Sequence, residues 1–267
     1  MSLFSLGGNI GFALGPVLVT PLVIAFGLSG TLFMVILGAA VSLVMAAQLS
    51  HLVGFRPDDA LGAANRGSPD DDWAGFTRLG IVIAFRTFVY FGLLTFVPLY
   101  YVNALDTSKA AANTALTAML VGGAFGTLFG GPLADRFGRR QVLFASFSVL
   151  PPLILLFHGL HPPASTVVMF FVGAAIIATF SVTLVMGQEY LPGRLGTASG
   201  VTLGLSIGLG GVGAPLLGVL ADQAGLNATL YVLAALPLGG LALTFLLPPA
   251  RSHRLGSEPG GQAVSLI

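Results

Sequence analysis

Arg86 is the residue of this chain best placed to do chemistry, because it is the single charge in the apolar run from Leu79 to Leu105. A guanidinium in such a setting is costly to keep, so its default reading is functional, as a hold on an anionic group. Tyr90 follows one helical turn later and Tyr101 stands at i+15, which puts both near the same helix face. Aromatic rings and one guanidinium facing a cavity suit an amphipathic anion such as a phosphonate drug, so Arg86 and Tyr90 are the candidate substrate-binding residues. Other readings remain open. Arg86 lies roughly 12 Å along a helix from Arg78, close enough to snorkel to the headgroups. Tyr101 reads better as an interfacial anchor than as a ligand contact.

Catalytic chemistry finds no comparable support, and the chain is not expected to be an enzyme. His158 and His161 are three apart but fall in a Pro-rich turn, with His51 and His253 far away, so no metal site is expected. HExxH and P-loop patterns are absent, and no cofactor is implied. Zero cysteines remove disulfides, CxxC redox chemistry and thiolate metal sites.

The elements that position these residues follow from composition. Of 267 residues, 55% are hydrophobic and 8% charged, and the mean hydropathy is +0.93. A soluble domain carries about 25% charged residues, so a bilayer is the better solvent for this chain. A net charge of +1 gives no sign of a nucleic-acid partner. No charge occurs from Met1 to Val53, room for two spanning helices of about 20 residues each. The break between them falls at Gly27-Leu28-Ser29-Gly30. The lack of any Lys or Arg before Arg56 argues against a signal peptide. A polar loop from about Gly54 to Thr77 follows, then spans at Leu79 to Tyr101 and about Ala110 to Pro132. Two more lie between Gln141 and Gln188, turning at Gly159-Leu160-His161-Pro162-Pro163. The last two, about Thr197 to Leu220 and Ala228 to Leu247, are separated by Asp222-Gln223-Ala224-Gly225. The expectation is an all-α, polytopic membrane helix bundle of about eight transmembrane helices.

Lys and Arg concentrate in cytoplasmic loops. An even count places Arg56, Arg66, Arg78, Arg136, Arg139, Arg140, Arg194, Arg251 and Arg254 on one side and leaves only Lys109 on the other. Both termini are therefore expected in the cytoplasm, in a multi-pass protein of the cell (inner) membrane whose surroundings are the lipid bilayer.

Between the fourth and fifth spans stands Gly131-Pro132-Leu133-Ala134-Asp135-Arg136-Phe137-Gly138-Arg139-Arg140. Its small residues let helix ends approach, and its carboxylate and guanidiniums can pair across neighbouring helices. The bland reading is a basic turn that fixes topology. The ordered string, however, resembles the cytoplasmic signature loop of the major facilitator superfamily, which joins helices two to three and eight to nine of twelve. That resemblance numbers the eight spans as helices five to twelve, with helices one to four absent. It divides the chain into the last two helices of an N-terminal half (1–53), a cytoplasmic central loop (54–78), a six-helix C-terminal half (79–248) and a cytoplasmic tail (249–267).

Gly11-Phe12-Ala13-Leu14-Gly15-Pro16 looks like the G-x-x-x-G-P part of the helix-five motif of proton-coupled drug exporters, although Thr20-Pro21 stands where a glycine pair would follow. Gly210-Gly211-Val212-Gly213-Ala214-Pro215 echoes it where parallel halves require an equivalent. Gly11, Gly15, Pro16, Gly210 and Pro215 are thus a candidate helix-packing motif, with small-xxx-small packing of any membrane protein as the plain alternative. The segments Met1 to Pro16 and Gln188 to Gly200 resemble fosmidomycin-resistance-type exporters. The resemblance implies a secondary active transporter, effluxing a small amphipathic or anionic compound by alternating access, with protons as a possible coupling ion and antibiotic resistance as an outcome. It also implies a conformational latch of Gly131, Asp135, Arg136, Gly138, Arg139 and Arg140 with Glu189 and Arg194, favoured over a static ion-pair cluster. The alternative function is an N-terminally truncated, non-autonomous fragment, or a structural membrane subunit without transport activity.

Overall fold

The computed structural model describes residues 32–48 and 71–248. Regular structure among the described residues is helical throughout: α1 (Leu32–Ala47), α2 (Trp73–Asn103), α3 (Lys109–Phe137), α4 (Arg139–His158), α5 (Ala164–Tyr190), a 3-10 turn (Pro192–Arg194) and α6 (Leu195–Phe245). Five of these are long and apolar enough to cross a membrane. At 51 residues, α6 would measure roughly 77 Å as one rod, more than twice a hydrocarbon core. It is not one rod, because Gly225 (φ 85°, ψ 167°) leaves helical geometry and divides it into 195–224 and 226–245. The break falls in the polar turn expected there, and residues 71–248 make six rods long enough to cross, matching the third to eighth expected spans. Within the second expected span α1 forms, its described side chains all exposed. The first span, Gly11, Gly15 and Pro16, most of the central loop and the tail lie outside the described residues.

Local signals set the helix ends. Asp72 caps α2, its Oδ1 accepting from the Gly75 N–H at 2.8 Å, and Ser108 caps α3 by accepting from Ala111 at 3.2 Å. Gly138 separates α3 from α4 at φ 97°, a backbone conformation that glycine adopts without steric cost. Pro98, Pro132, Pro151, Pro152, Pro215 and Pro237 sit inside helices, as the close neighbours of a membrane bundle allow.

Backbones approach closely in two pairings. Along α3, Gly122, Gly126 and Gly130 rest on α5, and an added methyl would strike the carbonyls of Phe170, Ala174 and Ala178 respectively. Gly173 of α5 faces the Met119 carbonyl in the same way. Helix α2 packs on α6 by setting the Phe91 and Phe88 rings against Gly210 and Gly213. Large apolar side chains cover the outside, Phe125, Phe129, Phe171, Val212 and Leu216 among them. So extensive an exposed apolar surface fits lipid and not water.

Candidate functional site

Helix α2 buries Leu79, Val82, Ile83, Arg86, Thr87, Val89 and Leu93, a stripe at helical spacing. Arg86 therefore occupies a core-facing position that an aliphatic residue would ordinarily fill, and it is 4% exposed. It lies about 20 Å from Trp73 along a helix of about 45 Å, close to the midpoint. One arm, Nη2, donates to Ser206 Oγ of α6 at 2.7 Å, and that hydroxyl donates to the Thr202 carbonyl at 2.7 Å. The guanidinium carbon lies 5.1 Å from the Phe180 ring centroid on α5, a cation–π distance. The other arm, Nη1, is buried without a partner. Arg86 forms no ion pair with a carboxylate among the described residues. The guanidinium is thus held inward by three helices and does not snorkel to a headgroup region.

Tyr90, one turn on, is half-buried and packs edge-to-face on Phe91 at 5.3 Å. Tyr101 departs from the interfacial reading. It is fully buried, stacks on Phe157 at 6.0 Å and shares hydrogen bonds with Ser165 Oγ at 2.7 Å and Thr166 Oγ1 at 3.2 Å. A tyrosine hydroxyl can be buried when such partners are present, and here α5 supplies them.

At the signature-loop end the charges sort into three groups. Arg139 pairs with Glu189, joining α4 to α5. Arg194 reaches Asp71 at 3.6 Å, whose other oxygen accepts the Gly193 N–H at 3.0 Å. Arg140 turns elsewhere: its Nε donates to the Thr244 carbonyl at 3.1 Å and its Nη2 to that of Phe245 at 2.6 Å. Arg78 adds a bond to the Leu246 carbonyl at 3.4 Å. These arginines satisfy the last carbonyls of α6, which no intrahelical N–H can reach, where cations also suit the helix dipole. Asp135 and Arg136 are exposed, and Asp135 has no ion-pair partner among the described residues. Gly131 has open space around it, so only Gly138 needs glycine for its backbone.

Gly210 lies under the Phe91 ring. Pro215, by contrast, lines a cleft of about 610 Å³ between α2 and α6 at the opposite end, together with Thr95, Asn103 and Asp222. His158 sits among rings, 5.3 Å from Tyr100 and 4.8 Å from Tyr231, and no group of metal-ligating residues occurs among the described residues. Sequence reasoning found Arg86 but missed Ser206, Phe180 and the α3 glycines. Gly122-x-x-x-Gly126-x-x-x-Gly130 was a legible signal for the last of these.

Known proteins align along nearly all of this chain. An uncharacterized MFS-type transporter of Bacillus subtilis (strain 168), YfnC, is 33% identical over 260 residues, covering 95% of this chain and 63% of the relative. The fosmidomycin resistance protein of Escherichia coli (strain K12) is 32% identical over 262 residues, covering 94% and 62%. A gallate transporter of Pseudomonas putida is 29% identical over 164 residues, covering 60% and 36%. The chain thus spans less than two thirds of the length of each. The pattern of the Major Facilitator Superfamily matches residues 1–202 and, in a second alignment, 79–266. An apolar helical bundle, the signature loop between α3 and α4 and these matches agree: the chain belongs to the Major Facilitator Superfamily of membrane transporters.

Proposed function

We propose that this chain is the substrate-binding part of a secondary active exporter that moves a small amphipathic anion across the cell (inner) membrane by alternating access. The observation that carries this reading is Arg86: a buried guanidinium near mid-helix, with one free arm and no carboxylate partner among the described residues. An uncompensated buried charge is destabilising by several kcal/mol, and an anionic ligand would relieve it on arrival. Tyr90 contributes an aromatic wall one turn away. The names of two relatives agree in charge, since fosmidomycin and gallate both carry an acid group. Efflux is the direction that resistance requires, and protons are the proposed coupling ion.

In this reading residues 79–248 form one moving half and 1–53 belong to the other, joined by a cytoplasmic loop at 54–78, with the tail at 249–267 and both termini cytoplasmic. Arg139–Glu189 joins two helices of this half and Arg194–Asp71 ties it to the end of the central loop, so neither pair reaches the other half. Asp135 and Arg136, exposed beside them, are the members free to engage the other half, and they form the working part of the latch. Gly210 packs its helix on α2, and in this proposal Gly11, Gly15 and Pro16 take the corresponding role in the other half. The test is fosmidomycin accumulation in an exporter-deficient bacterial host carrying the chain or its Arg86→Ala variant. Arg86→Ala should raise accumulation to the level of the empty host while the protein stays in the membrane fraction. Equal accumulation with and without Arg86 would remove the residue from the mechanism.

A further inference from the structure

The cleft between α2 and α6, about 610 Å³ in volume, falls within the range of small-molecule sites, about 300–1,000 Å³. Its shape follows from residue size. Ala214, Gly218 and Ala221 line it from α6 at i, i+4 and i+7, so one small-residue face of that helix stands back from Phe96 and Leu99 of α2. Leu226 adds a further apolar wall, and Gly218 has open space where a Cβ would stand. Arg86 is no part of this lining, which begins at Thr95, roughly 13 Å further along α2.

Three side chains bring polar atoms to the cleft. The Thr95 hydroxyl is committed to the Phe91 carbonyl at 2.9 Å, which leaves the Asn103 amide and the Asp222 carboxylate as the groups open to a ligand. Asp222 forms no ion pair among the described residues, with Lys109 of the same end or with any other cation. No Lys, Arg or His is among the described residues of the lining. An anion would therefore meet a carboxylate with nothing to offset it, and an uncharged ligand would crowd water away from that carboxylate without replacing it. A ligand with an apolar body and a positive end complements both the walls and the charge.

We infer that this cleft is a second ligand site, separate from Arg86, that takes a small amphipathic cation. The apolar body lies against Phe96, Leu99 and Leu226, and the ammonium group donates to the Asp222 carboxylate and the Asn103 carbonyl oxygen. Such a ligand enters from the end opposite the signature loop, where Asn103 and Asp222 are exposed. The site goes beyond the anion-transport reading and does not depend on it.

The test is equilibrium dialysis of labelled 4-phenylbutylammonium against the purified full chain in phosphatidylcholine nanodiscs, with empty nanodiscs as the background. Binding should saturate, and 4-phenylbutanol, the same body without the charge, should compete about fivefold more weakly, the effect of an ion pair open to solvent. Asp222→Asn should weaken binding of the cation by about the same factor. Gly218→Phe should abolish it by filling the cleft, while Gly218→Ala, one methyl in open space, should bind like the parent and guards against a folding artefact. Asp106→Asn removes a carboxylate of the same end that is not in the lining, and it should also bind like the parent. Unchanged affinity in Asp222→Asn, or an equal loss in Asp106→Asn, would overturn the inference. So would full affinity in Gly218→Phe, or a parent that binds no more than empty nanodiscs, as when a lipid tail or another helix of the transporter fills the cleft.

Discussion

Arg86 and Ser206 are 120 positions apart, yet one hydrogen bond joins them. The arginine was legible in the sequence because a lone charge in an apolar run has few explanations. Its partners were not, because the register that brings Ser206 and Phe180 to it depends on how α5 and α6 pack. Tyr101 shows the same limit, since a tyrosine near a helix end suits an interface until Ser165 and Thr166 are found against its hydroxyl. Charge and geometry can be separated at residue 86. Arg86→Lys keeps the charge but loses the planar fork that holds Ser206 and leaves Nη1 free. Its efflux activity should fall about tenfold, the effect of roughly 1.4 kcal/mol, short of the full loss expected for Arg86→Ala. Initial rates of drug extrusion from preloaded cells would check this.

Helix packing makes its own demands, independent of any ligand. Gly126 touches the Ala174 carbonyl so closely that no side chain fits between α3 and α5. Gly126→Val should therefore destabilise the bundle by about 1–3 kcal/mol, as overpacking of a tight contact does. A lowered midpoint of thermal unfolding in detergent would show it, while Gly131→Ala, with open space around it, should leave the midpoint unchanged. Arg140 belongs to this scale as well. The signature string suggested a role in pairing charges, whereas the structure uses this arginine to cap α6, a role that no spacing rule foretells. Arg140→Gln should loosen the end of α6 and increase protease cleavage near Leu246. An unchanged cleavage rate would show that Arg78 suffices there. The helix boundaries themselves were legible, because the Gly159 to Pro163 and Asp222 to Gly225 turns interrupt otherwise continuous apolar runs. What stayed hidden was the identity of the close pairs, which depends on three-dimensional approach and not on hydropathy.

At the scale of the whole molecule, the described ion pairs tie α4 to α5 and the 3-10 turn to the segment before α2, and the exposed Asp135 stands apart from them. If the helices of residues 71–248 move as one body, Arg139–Glu189 persists through the cycle and Asp135 does not keep a constant environment. Asp135→Asn should then slow transport several-fold without changing membrane insertion or thermal midpoint, whereas Glu189→Gln should lower the midpoint. The membrane class and the signature loop could be read from composition and one motif. The division of labour among the loop's charges could not, because Arg139 and Arg140 are adjacent in sequence and face different helices. The central claim, that this chain binds its substrate through an anion site at Arg86, is tested most directly by uptake of labelled fosmidomycin into proteoliposomes containing the full chain. Uptake should saturate, yield to competition by methylphosphonate but not by an uncharged analogue, and vanish in Arg86→Gln. Saturable uptake that survives Arg86→Gln, or that ignores methylphosphonate, would contradict the account.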